Sequence, residues 1–77
     1  MRLNLAEFLD CATFEGTILI KAWKDDECIF EKFLDEINKQ SRDIVYFSWD
    51  VSYVYPITQY KRGVLEPCVV IEVARYD

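Results

Sequence analysis

The stretch at positions 44–57 reads IVYFSWDVSYVYPI and constrains the fold more than any other part of the chain. Every second residue from position 45 onward is apolar or aromatic: Val45, Phe47, Trp49, Val51, Tyr53, Tyr55 and Ile57. A period of two predicts a strand with one apolar face. At roughly 3.3 Å per residue, one unbroken strand would span about 45 Å, which is too long for 77 residues. We therefore expect a bulge, a bend, or a strand that begins near Phe47, with Pro56 ending central pairing or marking an edge.

A short helix is predicted at positions 4–12, because Leu5, Phe8 and Leu9 recur at the spacing of one helical face. Asn4 can cap its start, and Glu7 occupies the third helical position of a capping box.

Two further segments are β-branched and apolar, and they predict strands at positions 16–23 and 68–76. The first is apolar on both faces, which is typical of a strand inside a sheet. Positions 58–67, with Gly63 and Pro67, are predicted to form a loop.

Positions 24–41 allow two interpretations. Ile29, Phe33 and Ile37 fit one long helix of period 3.6. The alternative is a tight turn at 24–27, a short strand at 28–31 and a shorter helix at 32–39. We favour this hairpin, because the turn residues fall midway between two β-prone runs. The hairpin lacks the glycine that such a turn usually carries.

Together these segments predict a single α+β domain over residues 1–77. It would contain a small antiparallel sheet of about four strands, with one or two short helices packed on one face. With 52% hydrophobic and 16% aromatic residues, the chain has the composition of a globular protein.

Charge and residue types argue against several functions. The chain carries 14 acidic against 9 basic residues, and its only adjacent basic pair is Lys61-Arg62. Phosphate repels such a chain, so direct binding of nucleic acid is disfavoured. Without histidine or a glycine-rich phosphate loop, we expect no enzyme and no cofactor.

The three cysteines, Cys11, Cys28 and Cys68, have no metal-ligand spacing, and we expect reduced core residues and no metal site. The N-terminus is too short and too acidic for a signal peptide, and no apolar run approaches the roughly 20 residues of a membrane span. The sequence therefore predicts a cytoplasmic protein of the host cell, with no membrane contact.

Two features could bind a partner. The first is an acidic segment with a single lysine, Lys32, and six carboxylates: Asp25, Asp26, Glu27, Glu31, Asp35 and Glu36. It is either a solvated face or a surface for a basic groove. The second is the line of rings, in which Trp49, Tyr53 and Tyr55 exceed what short helices can cover. These rings either fill the core or face a partner or a second copy of the chain.

The segments LAEFLD, TILIKAWKDDECIFEKFLDEI, WDVSYVYP and VVIEV resemble a class of small acidic proteins encoded by Firmicutes prophages and mobile elements. The resemblance covers nearly the whole chain and implies the hairpin at 16–31. None of its motifs is catalytic. Small acidic proteins of such elements include anti-CRISPR and other anti-defence inhibitors, some of which mimic nucleic acid.

The leading hypothesis is therefore a non-enzymatic phage or mobile-element protein that occludes a host protein or nucleoprotein complex, such as a defence nuclease, through acidic and aromatic surface. One alternative is a structural or assembly protein that forms homodimers through its aromatic strand. Another is a single-stranded nucleic-acid-binding module that uses Tyr46, Trp49, Tyr53 and Lys61-Arg62.

Overall fold

The computed structural model describes residues 3–12, 16–38 and 40–75. The predicted α+β class and the number of strands are confirmed. The elements in chain order are helix α1 (Leu5–Cys11), strands β1 (Thr17–Lys24) and β2 (Glu27–Phe33), two 3₁₀ helices (Leu34–Glu36 and Arg42–Ser48), and strands β3 (Asp50–Lys61) and β4 (Val64–Arg75). Lys39 and Tyr76, at the ends of two predicted elements, lie outside the described residues.

The four strands form one sheet in the order β2-β1-β4-β3. The two hairpins, β1–β2 and β3–β4, are antiparallel, whereas the inner strands β1 and β4 run parallel. The sheet is therefore mixed, and it differs from the expected antiparallel sheet at its central pairing. Both inner strands are apolar on both faces, as strands in buried parallel pairings are.

Helix α1 begins where the sequence predicts. The side chain of Asn4 accepts a hydrogen bond from the backbone N–H of Glu7 at 2.8 Å, and the carboxylate of Glu7 accepts one from the backbone N–H of Asn4 at 3.1 Å. Leu5 is fully buried, and Phe8 and Leu9 pack against the same core. The predicted capping box and apolar stripe are confirmed.

The hairpin at positions 17–33 is confirmed over the single long helix. Its turn consists of Asp25 and Asp26, with φ angles of 51° and 64°. Two consecutive positive φ angles are typical of a type I′ turn, which follows the twist of the strands, and Asp tolerates them better than most residues. The helix expected at 32–39 is wrong. Phe33 pairs with Leu19 in the sheet, and only one 3₁₀ turn, Leu34–Glu36, follows.

The loop expected at 58–67 is also wrong, because β3 and β4 continue through it to a two-residue turn. Arg62 and Gly63 form that turn, with φ angles of 52° and 80°. Pro67 is tolerated within β4 because β1 begins only opposite Cys68, so the missing N–H of Pro67 lies outside the central pairing.

The stretch at 44–57 is divided between two structures. Residues Arg42–Ser48 form a 3₁₀ helix, Trp49 ends it, and β3 begins at Asp50. The register shifts between Val51 and Tyr53, so the expected bulge is present. Pro56 lies in an edge strand, as predicted.

The two faces of the sheet differ in their cover. The face that we call the helix face carries a buried cluster in which sheet residues meet α1 and the segment at 34–49: Leu5, Ile20, Ala22, Ile37, Trp49, Ile71 and Val73. The opposite face, which we call the open face, buries a smaller cluster of strand residues only: Leu19, Cys68 and Val70, with Phe33, Tyr55 and Ile57 against them.

The open face is closed at one end by its own edges. Lys61 at the end of β3 binds Asp35, just after β2, at 2.5 Å, and its ammonium lies 5.2 Å from the centre of the Phe33 ring. Strands β2 and β3 are the two edges of the sheet, so this contact brings the two edges together at this end. Phe33, Tyr55 and Ile57 of the edge strands pack against the cluster around Val70.

The cysteines only partly match expectation. Cys68 is buried, and burial raises the pKa of its thiol. Cys11 and Cys28 are exposed, so the expectation that all three lie in the core is wrong for these two. Cys11 lies at the end of α1 and Cys28 on an edge strand, where little packs over them.

Candidate functional site

A cleft of about 280 Å³ lies on the open face, at the end next to the β1–β2 turn. Its lining residues come from β1, the turn, β3 and β4: Trp23, Asp25, Asp26, Ser52, Tyr53, Glu72 and Ala74. It brings together the acidic turn and one ring of the aromatic line, which the sequence presents as separate features.

Strand register places the two rings on opposite sides of the cleft. Trp23 of β1 lies opposite Ala74 of β4, and Tyr53 of β3 lies opposite Glu72 of β4. Residues that oppose each other across a sheet point to the same face, so all four side chains belong to the open face. The two ring-bearing strands are two strand spacings apart, or about 9.6 Å. Ala74, with a small and buried side chain, forms the floor beside Trp23.

The β-bulge at Ser52 is what brings Tyr53 to this face. Val51 opposes Val73 and packs on the helix face. Strict alternation would send Tyr53 to the same face as Val51. Because Ser52 has no opposing residue, Tyr53 opposes Glu72 instead and turns to the open face. The bulge therefore divides the line of rings into a part on the helix face and a part on the open face.

Three carboxylates surround the cleft. Asp25 and Asp26 are exposed in the turn, and Glu72 is half-buried in the sheet. The hydroxyl of Tyr55 donates a hydrogen bond to Oε2 of Glu72. This bond, together with burial, raises the pKa of Tyr55 from 10.0 to about 12. It also fixes the orientation of the Glu72 carboxylate.

The cations near the cleft in the described part of the chain point away from it. Lys21 lies two residues before Trp23 on the same face, but its ammonium binds Glu31 of β2 at 3.3 Å. Lys24 and Arg75 oppose each other at the ends of their strands, one position beyond Trp23 and Ala74. Alternation points them to the other face, and both have interactions of their own. The cleft is therefore acidic.

The other predicted acidic residues do not join the cleft. Glu27 and Glu31 lie along β2, and Asp35 and Glu36 follow its end. Glu27 directly follows the turn but does not line the cleft, and the seven residues of β2, about 23 Å of strand, separate the turn from Asp35 and Glu36. The hydrogen bond from Lys61 lowers the pKa of Asp35. The acidic segment is thus an exposed edge with charges already paired at Glu31 and Asp35, and only Asp25 and Asp26 reach the cleft.

The predicted ring residues have three different environments. Trp49 is only 7% exposed and packs edge-to-face on Tyr46, with ring centres 4.9 Å apart. It is a core residue, and its expected contact with a partner is not possible in this conformation. Tyr53 is 68% exposed. Tyr55 is half-buried and bound to Glu72.

Sequence reasoning missed four cleft residues: Trp23, Ser52, Glu72 and Ala74. Two weak signals were present. Trp23 directly precedes the turn residues of the hairpin, and Glu72 is the one charge in the apolar run of β4. Neither signal indicates that β1 and β3 approach each other, because that depends on the strand order.

A second groove, of about 500 Å³, lies at the other end of the sheet. Mostly apolar side chains line it, among them Ile18, Leu34 and Phe47, and its charged pair Asp35–Lys61 is already satisfied. No group in the described lining calls for a ligand there. Across the described ranges, no three histidine, cysteine or acidic side chains are grouped to hold a metal ion.

None of the helices in the described ranges is long and apolar enough to cross a membrane. No family model, curated protein or solved structure matches this chain.

Proposed function

We propose that this chain is a non-enzymatic interaction protein that binds a basic surface of a partner protein through the cleft and its acidic turn. The observation that carries this proposal is the meeting of Asp25, Asp26 and Tyr53 in one cleft. The cleft lies on the face that the described helices leave uncovered.

The arrangement suits recognition of a positive surface. Exposed carboxylates attract a basic partner and raise its association rate, and the effect is screened over about 10 Å at 0.1 M salt. Exposed tyrosine supplies contact area at a low entropic cost, because it has few rotatable bonds. Tyr53 of β3 and the two carboxylates of the β1–β2 turn combine these properties at one end of the sheet.

The partner that we propose is a host protein with a basic, nucleic-acid-binding groove, such as a defence nuclease. The net charge of −5 supports this choice, because the chain and nucleic acid would compete for the same groove. The resemblance to acidic proteins of mobile elements points to the same class of partner. Binding alone would inhibit the nuclease.

The experiment compares two variants of equal charge. Asp25→Asn with Asp26→Asn removes two carboxylates from the cleft, and asparagine tolerates positive φ, so the turn is preserved. Asp10→Asn with Glu36→Gln removes two exposed carboxylates from elsewhere. Proteins captured from a host extract by the wild type, with and without nuclease treatment, are identified and the leading one is purified.

The affinity of this purified partner is then measured at about 50 and about 300 mM salt. We expect the turn variant to bind at least about tenfold more weakly at low salt, because rim charges act mainly on association. The control should bind like the wild type. Equal affinity for all three proteins, or affinity independent of salt, would exclude the acidic turn as the binding surface.

A second candidate function is self-association through the edge strand β3. Its ten residues between Asp50 and Lys61 carry no charge, and an uncharged edge is a template for pairing with another chain. Val54, Tyr60, Val64 and Leu65 are exposed on the same hairpin. Sedimentation at micromolar concentration should then show a dimer, and Val54→Lys should reduce it. A wild type that remains monomeric removes this candidate.

Single-stranded nucleic-acid binding receives no support from the geometry. Tyr46 and Trp49 pack together in the core of the helix face, whereas Tyr53 lies on the open face. Lys61 is bound to Asp35. These groups form no common surface on which bases could stack.

A further inference from the structure

We propose that the cleft binds one guanidinium group, the side chain of an arginine on the partner, stacked between the rings of Trp23 and Tyr53. This inference rests on the proposed function and names the group that the cleft recognises.

The dimensions of the cleft suit a planar cation. Trp23 and Tyr53 lie on strands about 9.6 Å apart, and on the strand between them Ala74 lies opposite Trp23 and Glu72 opposite Tyr53. A flat group in van der Waals contact with two rings needs about 3.5–4 Å on each side, or roughly 7–8 Å in all. One guanidinium fits this space, and the cleft volume of about 280 Å³ also leaves room for the methylene groups that carry it.

The chemistry of the lining suits the same group. Arginine stacks on aromatic faces and binds carboxylates with two parallel hydrogen bonds, whereas lysine is a compact and strongly hydrated charge. Glu72 presents a carboxylate that Tyr55 holds in place, and Asp25 and Asp26 stand at the end of the cleft. A phosphate or a carboxylate ligand would meet three negative charges.

Three features of the backbone at this end of the sheet serve the cleft. The bulge at Ser52 turns Tyr53 toward Trp23, and a second register shift, between Ala22 and Trp23, lies at the same level on the other side. Bulges re-aim side chains at functional sites. The turn that follows places Asp25 and Asp26 in a left-handed conformation that glycine would adopt with less strain. The two aspartates supply carboxylates that glycine cannot.

The test is an NMR titration of the full chain with the peptide acetyl-Gly-Arg-Gly-amide. Its counterpart with citrulline has nearly the same shape but no charge. We expect the arginine peptide to shift the indole N–H of Trp23 and the backbone amides of Tyr53 and Ala74. The indole N–H of Trp49, buried on the helix face, is the internal reference and should not move. The citrulline peptide should bind at least about tenfold more weakly.

Matched variants locate the binding. Tyr53→Ala and Glu72→Gln should each weaken binding of the arginine peptide several-fold. Tyr60→Ala is the control, because Tyr60 lies on the same strand and is 66% exposed against 68% for Tyr53. Circular dichroism should show all three variants folded. Equal shifts with arginine and citrulline, or equal loss in Tyr60→Ala and Tyr53→Ala, would overturn the guanidinium site.

The result separates this inference from the proposed function. If the arginine peptide leaves the cleft unchanged while Asp25→Asn with Asp26→Asn still weakens the partner, the guanidinium site is wrong and the acidic surface stands. If the peptide binds the cleft but the partner binds the turn variant, Asp25→Asn with Asp26→Asn, as tightly as the wild type, the site exists and the proposed function is wrong.

Discussion

The two tryptophans show how the two faces of the sheet differ. Trp49 lies on the helix face, in a cluster of aliphatic side chains from β1, β4 and α1. Trp23 lies on the open face, half-buried beside Glu72 and Ala74. Each indole N–H is buried without a hydrogen-bond acceptor among the described residues. The two rings therefore differ in their exposure to solvent and in the residues around them, not in their hydrogen bonding.

The difference teaches how a small domain divides its apolar residues. The helix face uses its rings to fill space under α1 and the 3₁₀ segments, because a chain of this size has little else to bury. The open face obtains its buried cluster at one end, from edge-strand side chains, Phe33, Tyr55 and Ile57, which pack against the cluster around Val70. Among the described residues the opposite end has no such cover, and there the rings and carboxylates form the cleft.

The largest expected effect is on stability. Trp49→Ala should lower the free energy of unfolding by about 3–5 kcal/mol, as large-to-small changes in cores do. Trp23→Ala should cost less than half of that, because its ring already meets solvent. Urea unfolding followed by circular dichroism measures both. Equal losses would mean that the two faces are equally buried in solution, and the comparison would fail.

A smaller effect should separate the two turns, one at each end of the open face. Gly63→Ala should destabilise by about 1 kcal/mol, because alanine is strained at a φ of 80°, although no atom lies within 4 Å of the added carbon. Asp26→Gly should stabilise by about 0.5 kcal/mol by relieving the same strain.

For the turn at the cleft, stability and affinity for the arginine peptide should change in opposite directions. Asp26→Gly removes a carboxylate, so the more stable variant should bind the arginine peptide more weakly, whereas Gly63→Ala should bind it like the wild type. Thermal unfolding and the peptide titration together check this. A gain in both stability and affinity for Asp26→Gly would mean that the carboxylate of Asp26 does not contribute to binding.

The smallest expected effect depends on pH and belongs to the open face. The pKa of Tyr55 is raised from 10.0 to about 12, so the folded chain keeps this proton where the unfolded chain loses it. The contribution to stability is complete below pH 10.0 and is lost as the pH rises toward about 12. Unfolding curves measured below pH 10.0 and near pH 12 should show this loss of stability. Tyr55→Phe should lose less stability over the same range than the wild type. Identical pH dependence would mean that the bond to Glu72 is absent in solution.

Local patterns predicted much of this fold. The capping box at Asn4 and Glu7 follows from neighbouring residues, and alternation within each strand groups Ile20 with Ala22 in β1 and Ile71 with Val73 in β4. Strand direction could not be predicted, because strands that are apolar on both faces can pair either way. The helix expected at 32–39 is absent because Phe33 pairs with Leu19, which is a tertiary contact.

The cleft was only half predictable. Its acidic turn stands out in the sequence, but Trp23 and Tyr53 meet only because β4 lies between β1 and β3. The alternating pattern at 44–57 also conceals the bulge, because Val51 and Tyr53 keep the same spacing while facing opposite sides.

The parallel pairing of β1 with β4 also bears on how the chain folds. Each hairpin joins neighbours along the chain and can form within microseconds, whereas the pairing of 17–24 with 68–75 must close most of the chain into a loop. An isolated hairpin is marginal in water, so neither half gains lasting stability until this seam forms. We expect folding to be limited by the encounter of two preformed hairpins. Substitutions at the two turns would then mainly slow folding, because the turns are already formed at this encounter, whereas substitutions in the seam would also raise the unfolding rate.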